Sequence, residues 1–178
     1  MWEREAVTDT VAHTLAQARA GHGGALFVLA EAGLGKTSVL DVARAQAGGE
    51  MDVGFGRGEE MEATLPFGVA IQAFRTLGAK ELVDVLRAAG SSVAEPAAPF
   101  HRTMRWFEQR GGRPALLVFD DLHWADADSL AVVAFLVRRL ASLPVAVVGA
   151  LRPWPPEADD VVRGLVELAG ARLERLAP

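Results

Sequence analysis

The segment Ala25-Leu26-Phe27-Val28-Leu29-Ala30-Glu31-Ala32-Gly33-Leu34-Gly35-Lys36-Thr37-Ser38 runs from an apolar block through a Gly-rich turn into a helical pattern. The block Ala25–Leu29, with Gly23-Gly24 before it, predicts a buried strand. Lys36 to Ala47, closed by Gly48-Gly49, predicts a helix. Between them, Ala30 to Thr37 matches a relaxed phosphate-binding pattern: Ala or Gly, four residues, then Gly-Lys-Ser/Thr. The strict form begins with Gly, and this chain has Ala30 there. The physics follows from the residue types. Gly33 and Gly35 let the backbone wrap a phosphate with its N–H groups turned inward. A helix opening at Lys36 adds unpaired N–H groups and the positive end of its dipole. Lys36 is expected to bridge the β- and γ-phosphates, and the Thr37 hydroxyl to bind Mg²⁺. The bland reading of the loop alone is a Gly-rich strand–helix turn in an Ala-rich chain.

Working outward, Glu5 to Ala20 shows helical spacing in Val7, Val11, Leu15 and Ala18. Met51 to Phe55 is a weaker second strand. Three helices are expected between Glu60 and Arg110, with boundaries suggested by Pro66, Gly78, Gly90-Ser91-Ser92 and Pro96 to Pro99. Ala115 to Phe119 is a second clear buried strand and Val145 to Ala150 a third. Asp128-Ser129 is expected to cap a helix from Leu130 to Leu140 with an apolar face of Leu130, Val133, Ala134, Leu136, Val137 and Leu140. A helix over Glu157–Leu168 and a last strand over Arg172–Leu176 complete the pattern. Strands alternating with helices imply βαβ units and a parallel sheet covered on both faces, an α/β fold.

Leu116-Leu117-Val118-Phe119-Asp120-Asp121 supplies the other half of a nucleotide site. Asp120, at the strand's C-terminal end, would hold Mg²⁺ through water, and Asp121 would orient the attacking water as a general base. Arg152 follows the strand Val145–Ala150 at the same sheet edge. It reads equally as a γ-phosphate sensor or as a solvated loop residue before Pro153. Asp126 and Asp128 read as helix caps, Trp124 as a packing residue, His123 as no ligand by itself, and Arg57 as a turn residue after the second strand that could face the site, the plain turn residue being the preferred reading.

Composition narrows the rest. The chain has 178 residues, 51% hydrophobic and 23% charged, which suits one folded domain and excludes a disordered chain. With no cysteine there is no disulfide, thiolate metal site or cysteine nucleophile. The net charge of −5 argues against nucleic-acid binding by this chain, because phosphate contacts need a basic surface. No apolar run approaches the ~20 residues of a spanning helix, and Met1-Trp2-Glu3-Arg4-Glu5 is no secretory signal. A soluble cytoplasmic protein is the expectation.

The loop AEAGLGKT (Ala30–Thr37), RGEEMEATLPFGV (Arg57–Val69), LLVFDDLHWAD (Leu116–Asp126) and GALRP (Gly149–Pro153) together resemble the ATPase domain of large ATP-binding regulators of the LuxR family. Those belong to the STAND class of AAA-related signalling ATPases. DDLHWAD is the most specific part, since it extends well past a generic strand and acid. The resemblance implies a three-layer P-loop NTPase with a parallel five-stranded sheet in order 5-1-4-3-2. It treats residues 1–178 as one domain with a helical insertion about residues 60–110. It implies ATP and Mg²⁺ as ligands. The loop residues Ala32, Gly33, Leu34, Gly35, Lys36, Thr37 and Ser38 would bind the nucleotide, Thr37 and Asp120 the metal, and Lys36, Asp121 and Arg152 would act in catalysis. Family members begin with Gly-Arg-Glu near the adenine; Trp2-Glu3-Arg4-Glu5 stands there, which makes Arg4 the matching residue. The family's helical lid, winged helix, helical-repeat sensor and C-terminal helix-turn-helix are not expected within these residues.

The function expected is a Mg-ATP-binding regulatory switch with slow hydrolysis, whose partners are ATP or ADP and a protein or a second copy. A degenerate interaction domain that keeps the fold is the alternative. A small-molecule or nucleotide kinase is a third reading, disfavoured because the stretch from Ala141 to Pro178 has no Arg-rich lid cluster.

Overall fold

Each inner strand alternates its side chains between two buried faces, and that alternation generates the three layers. The computed structural model describes residues 2–91, 97–153, 160–161, 163–167 and 170–176. Strands β1 (Gly24–Leu29), β2 (Asp52–Arg57), β3 (Ala115–Asp120), β4 (Val145–Leu151) and β5 (Arg172–Arg175) form one all-parallel sheet in the order β2-β3-β4-β1-β5. This is the expected order, 5-1-4-3-2.

Leu26, Val28, Leu116, Val118, Ala146, Val148 and Ala150 point to one face. Helices α1 (Trp2–Arg19) and α2 (Lys36–Ala47) close over them with Val11, Leu15, Leu40 and Ala43. The intervening residues Phe27, Leu29, Leu117, Phe119, Val145 and Val147 point to the other face. There they meet α3 (Gly68–Thr76), α4 (Lys80–Ser91), α5 (Ala98–Glu108) and α6 (Ala127–Val137). Three helices thus stand between β2 and β3. Gly149 makes room on this face: a Cβ there would sit 2.5 Å from the Phe27 ring.

Two boundaries differ from expectation, each for a physical reason. β2 extends through Arg57, two residues past the expected end at Phe55, and includes Gly54 and Gly56. They are small because α3 lies directly on the strand: a Cβ at Gly54 would come within 2.6 Å of the Ala73 carbonyl, and one at Gly56 within 2.5 Å of that of Val69. The free edge of β2 is then satisfied in part by side chains of α3. Thr76 Oγ1 accepts from Phe55 N–H at 2.6 Å and Gln72 Oε1 accepts from Arg57 N–H at 3.0 Å, so α3 covers the C-terminal half of this edge.

α6 begins at Ala127, three residues before the expected start, because Asp126 is its cap rather than Asp128-Ser129. Asp126 Oδ1 accepts from Ser129 N–H at 2.8 Å, and Asp128 lies inside the first turn. The helix ends at Val137, and Leu140 is buried in the short turn that follows. The expected helix over Glu157–Leu168 falls partly outside the described residues; within them, one wide helical turn spans Arg163–Glu167. Among the described residues, no helix is long and apolar enough to cross a membrane.

Candidate functional site

Parallel strands end together, so the loops after β1, β2, β3 and β4 share one edge of the sheet, where α/β folds place their ligands. Ala32, Gly33, Gly35, Lys36, Thr37, Arg57, Asp120, Asp121 and Arg152 line one cleft there, of about 280 Å³. The backbone of the loop after β1 has the form its glycines allow: Gly33 and Gly35 take φ of 83° and 90°. Ala30 has no positive φ, so the glycine of the strict pattern is not needed at this position. Gly35 is the N-terminal cap of α2, with no side-chain cap and no acid in the first turn. The first N–H groups of α2 therefore stay open for an anion. α6, whose cap is Asp126, has no such opening.

Lys36 is 7% exposed, and its Nζ donates to the carbonyls of Ala30 and Glu31, both at 2.6 Å. Burial, then the Arg152 guanidinium, push its pKa down, while Asp121 and Asp120 oppose that. Asp120 is buried at the end of β3, and its Oδ1 accepts from Asp121 N–H at 2.9 Å. Burial and the neighbouring Asp121 raise its carboxyl above the ordinary range; that N–H bond, Arg57 and Lys36 pull it back.

Asp121 stands in the left-handed region, φ 47°, a conformation an Asp tolerates better than most residues. The turn aims its buried carboxylate between two arginines. Arg57 Nη2 donates to Oδ2 at 3.3 Å, and Arg152 Nε lies 3.3 Å from Oδ1 as an ion pair. Gly58 makes this approach feasible, since a Cβ there would lie 2.4 Å from the Asp121 carbonyl. The cleft holds Lys36, Arg57 and Arg152 against Asp120 and Asp121, three positive charges to two negative. It carries a charge of +1 in a chain of net charge −5, the local inversion expected of an anion site.

Of the residues the sequence singled out, Ala32, Gly33, Gly35, Lys36, Thr37, Asp120, Asp121 and Arg152 come together. Leu34 packs instead against the core under α1 and α2, and Ser38 stands exposed on the first turn of α2. Arg4 lies in the first turn of α1; its side chain is outside the described residues. Arg57 corrects the sequence reading. It is the last residue of β2 and paired in register with Asp120, not a plain turn residue. Once β2 is paired with β3, a cation at the end of one strand stands beside the acid at the end of the other.

Three further residues complete the arrangement. Asp126 accepts from Phe67 N–H at 2.7 Å as well as from Ser129, and Ser129 Oγ accepts from Ala70 N–H at 3.0 Å. The start of α6 thus ties down the start of α3. His123 is 6% exposed, and its Nδ1 accepts from the Arg152 main-chain N–H at 3.4 Å. Burial pushes its pKa down to about 4; Arg152 and Lys36 act in the same sense and Asp121 opposes them.

A consequence is testable. The unfolded imidazole titrates near 6.5. As pH falls from about 6.5 to about 4, the unfolded chain takes up a proton that the folded chain refuses. Stability therefore falls across that window, by up to about 3 kcal/mol, and the loss levels off below it. Urea unfolding at pH 7, 6, 5 and 4 should show a steeper loss for the wild-type chain than for His123→Leu. Parallel slopes would contradict the burial account.

Among the described residues, no cluster of three or more His, Asp or Glu side chains could hold a metal ion. Thr37 and Asp120 on one cleft wall offer two oxygen ligands. That fits Mg²⁺, which keeps several waters and shares phosphate oxygens rather than filling an all-protein cage.

Comparison with known proteins agrees with this geometry. The sequence profile of the AAA ATPase domain matches residues 2–148. No curated protein matches. Among solved structures, the chain is similar to Cdc6p from Pyrobaculum aerophilum (17% identity, TM-score 0.66), covering 98% of this chain and 45% of that one. It is similar to the Aeropyrum pernix ORC1 protein solved in complex with DNA (20% identity, TM-score 0.57), with the same two coverages. It is also similar to Drosophila ORC bound to DNA (16% identity, TM-score 0.59), covering 98% and 42%. The chain thus spans less than half the length of these solved chains, and at such identities the likeness is one of fold. The profile match takes in every residue that lines the cleft except Arg152, and the chain belongs to the AAA ATPase domain family.

Proposed function

We propose that this chain is the Mg-ATP-binding switch domain of a signalling regulator of the LuxR and STAND type, working in the cytoplasm and hydrolysing ATP slowly. The observation that carries the reading is the convergence of Lys36, Arg57, Arg152, Asp120 and Asp121 on one cleft behind an open helix N-terminus. The α2 N–H groups and Lys36 would hold the β- and γ-phosphates, and Thr37 and Asp120 would hold Mg²⁺, which supplies charge neutralisation at those oxygens. Arg152 and Arg57 flank Asp121 in the same cleft, where they could meet the γ-phosphate.

Slow turnover fits the state of Asp121. A general base must be free to accept a proton, and this carboxylate is held by two guanidinium groups. A γ-phosphate competing for the same arginines would shift those contacts. That is how a bound anion biases a conformational equilibrium. The acidic balance of the chain disfavours a nucleic-acid backbone, while the locally positive cleft suits a nucleotide; the other expected partner is a protein or a second copy.

The test is Asp121→Asn. Asn tolerates the left-handed turn, so the backbone should survive. Hydrolysis is expected to fall roughly 100-fold or more, while the Kd for Mg-ATP changes little. Unchanged turnover would remove Asp121 from the role of base. Faster phosphate transfer to an added acceptor than to water would instead support a kinase.

A further inference from the structure

We propose that His123 is the positioning residue for Arg152, holding the arginine's main chain while Asp121 holds its side chain. The inference rests on the reading of Arg152 as a γ-phosphate contact and adds the residue through which that contact is built.

The argument starts from the turn Asp121–Trp124, which reaches Arg152 at two points. Asp121 Oδ1 lies 3.3 Å from Arg152 Nε, and His123 Nδ1 accepts from Arg152 N–H at 3.4 Å. Arg152 is the first residue past β4, where the strand's own pairing has ended: the β1–β4 ladder stops at Leu29 and Leu151. Its N–H therefore needs an acceptor from elsewhere, and His123 supplies it. The turn is also pressed against β4. A Cβ at Gly149 would lie 2.9 Å from Leu122 Cδ1, so the strand can approach the turn only because position 149 is glycine.

An imidazole is an odd choice for mere filling here. Its Nε2 is buried without a partner among the described residues. A neutral ring that accepts at Nδ1 must carry its proton on Nε2, which leaves that donor unsatisfied. Leucine would fill similar space without that cost, but would offer Arg152 N–H nothing. Asp121 and His123 stand two residues apart in one short turn, so the residue proposed as base and the anchor of Arg152 move as a unit. A shift in the turn changes the water-orienting group and the γ-phosphate contact together.

Two measurements on the full chain test this, and they fail separately. Nitrogen-15 NMR of histidine-labelled wild-type protein at neutral pH reads the tautomer directly and needs no ATP activity. The expected result is a neutral His123 protonated at Nε2 with Nδ1 as acceptor. A ring protonated at Nδ1, or a charged ring, overturns the proposal. The second is a kinetic cycle with His123→Leu, His123→Asn and Arg152→Ala. Asn places an oxygen near the Nδ1 position and should restore most of the rate. His123→Leu should lower kcat about tenfold with KM for Mg-ATP changed less than about twofold, and should add nothing in the Arg152→Ala background. Full additivity of the two substitutions, or a loss in KM alone, overturns it. If wild-type protein neither binds nor hydrolyses ATP, the functional reading falls, while the tautomer result still decides the anchor.

Discussion

Lys36→Ala is expected to remove Mg-ATP binding from a chain that otherwise stays folded. The side chain is 7% exposed and its ammonium is held by the Ala30 and Glu31 carbonyls, at the point where the loop curls round its own axis. Burial and Arg152 make the charge costly there, and a bound polyphosphate is what would relieve both. Charge-assisted hydrogen bonds contribute roughly 1.5–3 kcal/mol each. Loss of contacts to two phosphates thus predicts a rise in Kd of more than about 100-fold. The Glu31 carbonyl is part-buried and can turn to water, whereas the Ala30 carbonyl is buried and loses its partner at a cost of about 1–3 kcal/mol, so the variant should stay folded but melt several degrees lower. Calorimetric titration of Mg-ATP into both proteins, with a thermal melt of each, checks this. Binding that survives the substitution would sink the phosphate-loop assignment. A wild-type chain that binds nothing would favour the degenerate-domain reading instead.

Much of this fold was legible because its signals are periodic or local. Ala25–Leu29, Ala115–Phe119 and Val145–Ala150 read as buried strands, since a strand covered on both faces needs apolar residues without interruption. The turn at Gly33 and Gly35 was legible as a backbone form because only glycine takes these positive φ values cheaply. What stayed hidden depends on contacts between distant segments. The reason for Gly54 and Gly56 was one such feature: only the position of α3 shows that they are close-approach residues. Arg57 looked like a turn residue until β2 was paired with β3, which brings it beside Asp120 and within reach of Asp121. His123 carried no signal, because its acceptor role exists only once β4 delivers the Arg152 N–H. Asp126 and Asp128 both read as caps, but the expected start of α6 fell at Asp128-Ser129 because Asp126, Asp128 and Ser129 all suit a cap. The choice is made by Phe67, 59 residues away, whose N–H also needs Asp126.

That last contact predicts the largest loss of stability from a single polar substitution. In Asp126→Ala, Phe67 N–H and Ser129 N–H lose acceptors at 2.7 and 2.8 Å, and Val69 N–H loses a longer one at 3.5 Å. Asp126 is 4% exposed and Ser129 fully buried, so water cannot readily replace the carboxylate. Each orphaned buried donor costs about 1–3 kcal/mol, and the start of α6 loses its cap as well. Phe67 adds to the effect. It holds a φ of 59°, costly for a bulky side chain, and its N–H bond to Asp126 is part of what keeps it there. The expected loss is about 3–5 kcal/mol, against a total of roughly 5–15 for a typical domain. Asp126→Asn keeps one acceptor oxygen and should lose about half as much, so it carries the test if the alanine variant does not fold. Urea denaturation gives the free energies. Hydrogen exchange locates them: Phe67, Val69 and Ala70 amides should lose protection, while those of β1 and β4 keep it relative to global stability. A loss below about 1 kcal/mol would mean that the donors find other partners. The acid at the end of DDLHWAD would then not be what ties the segment after β2 to the turn that carries Asp121.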